Sequence, residues 1–168
     1  MTRLKTKLSA LLPFIGLLCA QAQRDMKTIN DGWFFRKAST ENWQPVNVPH
    51  TYNLDAYSQR NYYMGKAFYQ KSFVLPKVPQ GKRCFLKIDA ASKAADLTLN
   101  GQKIGSHAGG YSAFTFDITP YLQKNNTIEI TVDNSRKDIT PISADFTFWG
   151  GIYRDVWLIT TSEQHFNL

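Results

Sequence analysis

Asp145 stands five residues before a glycine pair, in Asp145-Phe146-Thr147-Phe148-Trp149-Gly150-Gly151-Ile152-Tyr153-Arg154. Three kinds of chemistry meet in that stretch. A carboxylate accepts hydrogen bonds, aromatic rings offer flat apolar faces, and glycines without Cβ let backbone or ligand approach closely. Together they suit a ligand that carries both hydroxyls and an apolar ring face, as a sugar does. Plainer uses exist for each part. Asp145 can cap its own backbone in an Asx turn, and Gly150-Gly151 can kink the chain into a final strand.

Other chemistries find less support. Glycoside hydrolysis needs two carboxyl groups about 5–9.5 Å apart, yet the chain has three Glu in all: Glu41, Glu129 and Glu163. None lies in an apolar run that would raise its pKa. Asp138 joins Asp145 in the irregular stretch 135–151. The three histidines, His50, His107 and His165, are far apart and no cysteine pair joins them, so no metal-ligand spacing is present. Gly109-Gly110 is followed by a strand pattern, which excludes a phosphate-cradling loop. No cofactor is expected. His50, in Val48-Pro49-His50-Thr51-Tyr52, reads as a loop hydrogen bond that holds its turn. Cys84 alternates with Leu86 and Ile88 on one face of a strand pattern and reads as a buried, inert thiol.

The elements that must carry these residues are strands. Residues 67–75, 83–90, 95–99, 102–106, 114–118, 127–133 and 155–161 are the candidates, most bounded by turn residues. Ile128, Ile130 and Val132 alternate with Thr127, Glu129 and Thr131, the mark of a half-buried antiparallel strand. Asn100-Gly101 between apolar runs predicts a two-residue hairpin. Thr119-Pro120 predicts a helix N-cap and first position, opening one short turn. Many short strands with frequent turns predict an all-β sandwich. Residues 43–65 show no clean period and read as a long ordered loop, where binding often resides.

The 168 residues suffice for one domain with a real core. Hydrophobic residues at 43% and aromatics at 14% exclude a disordered tail. Residues 1–22 read as an export signal: Arg3, Lys5 and Lys7, an apolar run over 8–20, and Ala20-Gln21-Ala22 as a small-x-small cleavage site. The apolar run is shorter than the roughly 20 residues of a membrane span. A periplasmic or extracellular protein with a domain over 23–168 is expected. Loss of the leader's three basic residues lowers the net charge from +7 to +4. Without a basic block, that excess gives no nucleic-acid footprint.

Several segments now fall into one order: Asp31-Gly32-Trp33, Val48-Pro49-His50-Thr51-Tyr52, and Gly65 followed by Ala67-Phe68-Tyr69. Next come Leu99-Asn100-Gly101-Gln102-Lys103-Ile104-Gly105, His107-Ala108-Gly109-Gly110-Tyr111 and Phe114-Thr115-Phe116-Asp117-Ile118-Thr119. Asp145 and Trp149-Gly150-Gly151-Ile152-Tyr153-Arg154 close the series. In this order the chain, over about residues 30–162, resembles the N-terminal sugar-binding domain of glycoside hydrolase family 2, which includes β-galactosidases, β-glucuronidases and β-mannosidases.

The resemblance implies a jelly-roll-like, galactose-binding-domain-like antiparallel sandwich that packs against a separate (β/α)₈ barrel. In the family that barrel carries both catalytic glutamates of a retaining glycosidase, and loops of the sugar-binding domain reach the rim of its site. Asp145 corresponds to the aspartate that reaches toward the terminal sugar. Arg60 and Asn61 correspond loosely to a second rim element. Trp149 and Tyr153 have rings that can stack on sugar or on the barrel, with packing the plainer role for both. A barrel needs about 250 residues, so the catalytic glutamates have no counterpart here. The expectation is a domain, or a truncated product, without hydrolytic activity of its own. The second reading is a stand-alone carbohydrate-binding module using Tyr57, Tyr62 and Tyr63 as platforms. The third is a small enzyme with an unrecognised carboxylate pair.

Overall fold

The computed structural model describes residues 24–54, 62–75, 78, 80–139 and 147–164. The expected leader, Tyr57, Arg60, Asn61 and Asp145 lie outside the described residues. Ten strands are present: β1 (Asp25–Thr28), β2 (Trp33–Lys37), β3 (Gln44–Val46), β4 (Lys66–Val74), β5 (Lys82–Ile88), β6 (Ala94–Leu99), β7 (Gln102–Ala108), β8 (Phe114–Asp117), β9 (Asn125–Asp133) and β10 (Val156–Ser162). They form a four-stranded sheet, β1-β10-β5-β8, and a six-stranded sheet, β3-β2-β4-β9-β6-β7. Every pairing is antiparallel. The protein is an all-β sandwich, as the strand pattern and the resemblance both anticipate.

Alternation sets the register. Ile128, Ile130 and Val132 of β9 are at most 1% exposed. They face a core that includes Trp33, Phe35, Ala67, Tyr69, Leu86, Ile88 and Leu97. Burying one such aliphatic side chain is worth roughly 1.5–3 kcal/mol. A slip of one residue would turn Glu129 and Thr131 inward instead, so the register of β4 with β9 and β6 is strongly specified. Trp33 is fully buried, and its indole N–H is satisfied by the Ile29 carbonyl at 2.7 Å.

The hairpin between β6 and β7 forms as its sequence predicts. Asn100 and Gly101 both have positive φ, 52° and 78°, as the mirror-image turn requires. The Asn100 side chain fastens that turn to its neighbours. Its Nδ2 donates to the Tyr121 carbonyl at 2.9 Å, and its Oδ1 accepts from the Thr127 N–H at 2.9 Å.

Thr119 departs from its expected role. A single 3-10 turn occupies Thr119–Tyr121, with Ile118 at its N-cap and no side-chain cap. The Thr119 hydroxyl instead donates to Asp117 at 2.6 Å and accepts from the Cys84 N–H at 2.8 Å, tying β8 to β5. Cys84 itself is fully buried, and burial pushes its thiol up to about 11, so it is protonated and inert at neutral pH.

Candidate functional site

One end of the sandwich is built from three chain segments that hold each other. Gly151 pairs backbone to backbone with Ser92, and its carbonyl accepts from the Ser92 N–H at 3.1 Å. The loop after β3 runs alongside: His50 N–H reaches the Ile152 carbonyl at 2.7 Å and Tyr52 N–H the Gly150 carbonyl at 3.1 Å. This contact leaves no room for side chains between the segments. A Cβ on Gly150 would overlap the Tyr52 ring. One on Gly151 would overlap the His50 carbonyl and come within 2.7 Å of the Tyr69 hydroxyl. Gly151 also has φ of 122°, a region L-residues rarely adopt. The glycine pair therefore serves close backbone approach.

Two buried asparagines lock this junction. Asn53 and Asn134 are both 0% exposed. Their amides donate to the same acceptor, the Phe148 carbonyl, at 2.9 and 3.2 Å. Asn53 Oδ1 accepts from the Gly150 N–H and from Thr51 Oγ1, each at 2.8 Å. Asn134 Oδ1 accepts from the Gly65 N–H at 2.8 Å. The Phe148 N–H donates to Tyr62 Oη at 3.3 Å. Lys93 is 4% exposed, with its ammonium 4.0 Å from the centre of the Phe148 ring and 3.4 Å from the Arg136 carbonyl.

These contacts involve the described residues that flank the segments of the expected rim residues. Arg60 and Asn61 belong to the segment 55–61, which leaves the described chain after Leu54 and rejoins it at Tyr62. Asp145 belongs to 140–146, which ends just before Thr147. Asn53 and Tyr62, flanking the first segment, both bond to Phe148, which follows the second. Trp149 is half-buried at the same junction, its N–H on the Thr147 carbonyl at 3.1 Å. Tyr153 packs nearby, its hydroxyl donating to the Gly110 carbonyl.

The aromatic floor beneath is equally organised. His50 Nδ1 lies 2.8 Å from the Tyr69 hydroxyl, and its ring packs 4.6 Å from Phe35. Burial, reinforced by the charge of Lys37, lowers the His50 pKa below its usual 6.5. The Tyr52 hydroxyl donates to the Gly65 carbonyl at 2.9 Å. A hollow of about 290 Å³ opens beside this cluster, lined by Phe35, Lys37, Gln44, His50, Tyr52 and Leu54 among others. A larger groove of about 830 Å³, where Val74, Leu75, Val78 and Leu122 meet polar residues such as Gln80 and Lys124, opens at the opposite end of β4 and β9. It offers packing surface more than polar recognition.

Other residues singled out from sequence have structural occupations. Asp138 is exposed and paired with Arg136, Nε to Oδ1 at 2.6 Å. Hydrogen bonds from Arg136 hold its carboxyl down to about 2, so it remains ionised. Tyr62 and Tyr63 are half-buried with hydroxyls engaged, Tyr63 on the Lys66 carbonyl at 2.6 Å. Among the described residues no group of three His, Cys, Asp or Glu could hold a metal ion, and no helix is long and apolar enough to cross a membrane. Sequence reasoning missed Asn53, Asn134 and Lys93. Lys93 alone left a trace, as a single charge inside Ala90-Ala91-Ser92-Lys93-Ala94-Ala95.

The family model described as "Glycosyl hydrolases family 2, sugar binding domain" matches residues 19–162. The chain belongs to that family. A β-glucuronidase of Bacteroides fragilis is 38% identical over 167 residues, covering 95% of this chain and 24% of that protein. A β-galactosidase of Thermoanaerobacter pseudethanolicus is 32% identical over 145 residues, covering 82% of this chain and 19% of that protein. The crystal structure of a Bacteroides uniformis β-glucuronidase superposes with a TM-score of 0.80 at 45% identity, covering 86% of this chain and 19% of that one. The chain thus spans 19–24% of the length of these relatives.

Proposed function

We propose that this family 2 domain supplies sugar-contacting loops to a β-glycosidase that acts on β-glucuronides or β-galactosides. Asp145 accepts hydrogen bonds from the hydroxyls of the terminal sugar, Arg60 and Asn61 form a second contact, and Trp149 borders them. The observation that carries this reading is the junction at Phe148. It ties both loop-bearing segments to one end of the sandwich through Asn53 and Tyr62. The catalytic glutamates belong to a (β/α)₈ barrel elsewhere in the parent polypeptide, and the domain by itself does not hydrolyse glycosides. Residues 1–22 direct export to the periplasm or the cell exterior.

The test begins with the native polypeptide, captured by an antibody raised against residues 23–168. A product longer by at least the roughly 250 residues of a barrel is expected. A product of the size of this chain would remove the enzyme from the proposal. In the longer protein, Asp145→Ala should lower kcat/KM on aryl β-glucuronides or β-galactosides by about 10- to 150-fold. That range corresponds to a lost hydrogen bond to a charged group, about 1.5–3 kcal/mol. Unchanged kinetics would remove Asp145 from the site.

A further inference from the structure

The outer face of the six-stranded sheet carries a groove that the rim does not use. Pairing places Arg36, Phe68 and Thr131 in one outward row, and Gln70, Glu129 and Thr98 in the next. Between these rows runs a depression of about 270 Å³ that crosses β2, β4, β9 and β6. Trp43, just before β3, stands at one side of it and is 40% exposed. The depression is large enough to take several water molecules.

The groove is arranged beforehand. The Arg36 guanidinium lies 5.1 Å from the centre of the Trp43 ring and 4.3 Å from that of Phe68. One of its five N–H groups is taken by the Thr40 carbonyl at 3.2 Å. Glu129 Oε1 accepts from Gln70 at 3.1 Å, which fixes the carboxylate as an acceptor over the floor. Threonine hydroxyls of Thr98 and Thr131 add groups that both donate and accept. An exposed indole beside fixed donors and acceptors is the combination that recognises a pyranose, whose apolar face stacks while its hydroxyls are read at the edge.

We propose that this groove binds a neutral glycan chain, with Trp43 as the stacking platform and Arg36 and Glu129 reading hydroxyls. Neutrality follows from charge: the groove holds one cation and one carboxylate, so a uronate attracted by Arg36 is repelled by Glu129. The ligand class rests on the sugar-binding reading above, whereas the location rests on the groove alone.

The experiment titrates the full, ¹⁵N-labelled chain with neutral β-linked gluco-, xylo-, manno- and galacto-tetraoses, and with tetragalacturonate as the charged comparison. Shifts are expected at the Trp43 indole N–H and at the Thr98 and Thr131 amides for at least one neutral tetraose. Trp43→Ala should weaken that binding at least tenfold, Trp43→Phe should retain much of it, and Met26→Ala, an exposed position on the other sheet, should leave it unchanged. The proposal is overturned by any of four results: no binding of a neutral tetraose at millimolar concentration, equal binding by Trp43→Ala with native circular dichroism, preference for tetragalacturonate, or shifts confined to the Trp149 indole and Gly150–Gly151. It is also overturned if the native polypeptide buries Trp43 against another protein domain, shown by loss of its reactivity toward N-bromosuccinimide. A null result for Trp43→Ala removes the groove and leaves the rim reading intact. A null result for Asp145→Ala in the parent enzyme does the reverse.

Discussion

His50 shows how one side chain makes the sandwich sensitive to pH. His50 Nδ1 lies 2.8 Å from the Tyr69 hydroxyl, which can donate its proton to that nitrogen. Only a neutral imidazole can accept it, because both ring nitrogens of the charged form are donors. Burial and then Lys37 depress the folded pKa below 6.5. The sign follows from linkage. Below about pH 6.5 the unfolded histidine binds a proton that the folded one still refuses, so stability falls as pH falls. The loss is complete once pH passes below the folded pKa, and above pH 6.5 His50 contributes no slope. Urea unfolding at pH 7.5, 6.5 and 5.5 should therefore show a decline over the lower step, bounded by about 1.4 kcal/mol per pH unit for one proton. His50→Gln should flatten that step by the His50 share. An identical decline in the variant would assign the effect to other groups.

Among the elements, the Phe148 junction joins Asn53 and Tyr62, the described residues beside segment 55–61, to the chain that follows segment 140–146. Asn53→Ala removes a donor from the Phe148 carbonyl and an acceptor from the Gly150 N–H, whereas Asn134→Ala removes a donor from the first and an acceptor from the Gly65 N–H. Each should cost about 1–3 kcal/mol, the desolvation cost of a buried group left unpaired. Because both amides serve one carbonyl, the double variant should depart from additivity by about 0.5 kcal/mol or more. Strict additivity in urea unfolding would mean that the two asparagines act independently. Neither was legible in the sequence, since an asparagine in a loop gives no sign of whether a distant carbonyl lies above it. The strands were more legible where burial alternates. β9, β5 and the Asn100-Gly101 hairpin are visible because one face is apolar and the turn demands positive φ. β1, β2 and β3 are not. β1 is exposed at all four residues, so it has no buried face to leave a pattern. β2 carries Phe34 outward at 48% exposure, an aromatic on the polar face that breaks the alternation. β3 is a three-residue strand at the sheet edge with Pro45 inside it, and proline argues against a strand unless the strand is an edge. Asp145 stands out by its residue chemistry, but an Asx turn fits that chemistry too, and the family resemblance is what favours the sugar-contacting reading.

At the scale of the whole molecule, the sandwich is closed by residues far apart in sequence. β1 pairs with β10, Asp25 opposite Thr160 and Thr28 opposite Trp157. Asn30 fastens that closure: its Nδ2 donates to Asp155 at 2.8 Å and its Oδ1 accepts from the Val156 N–H at 3.0 Å, contacts that span about 125 residues. Its own carbonyl accepts from Val48 N–H at 2.9 Å, so the same residue orients the start of the His50 loop. Contacts of such separation bear the largest loop-closure cost, whereas the β6–β7 hairpin closes over two residues. A nucleus built from β4, β9 and the β6–β7 hairpin can form before β1 reaches β10. Asn30→Ala should then act after the transition state. A loss of about 1–2 kcal/mol should appear as a roughly 5- to 30-fold faster unfolding rate, with the refolding rate changed by less than about twofold. Stopped-flow urea chevrons measure both limbs. A variant that refolds proportionately more slowly would place the β1–β10 closure inside the nucleus. The two ends of the domain would then have to meet before the sheets could form.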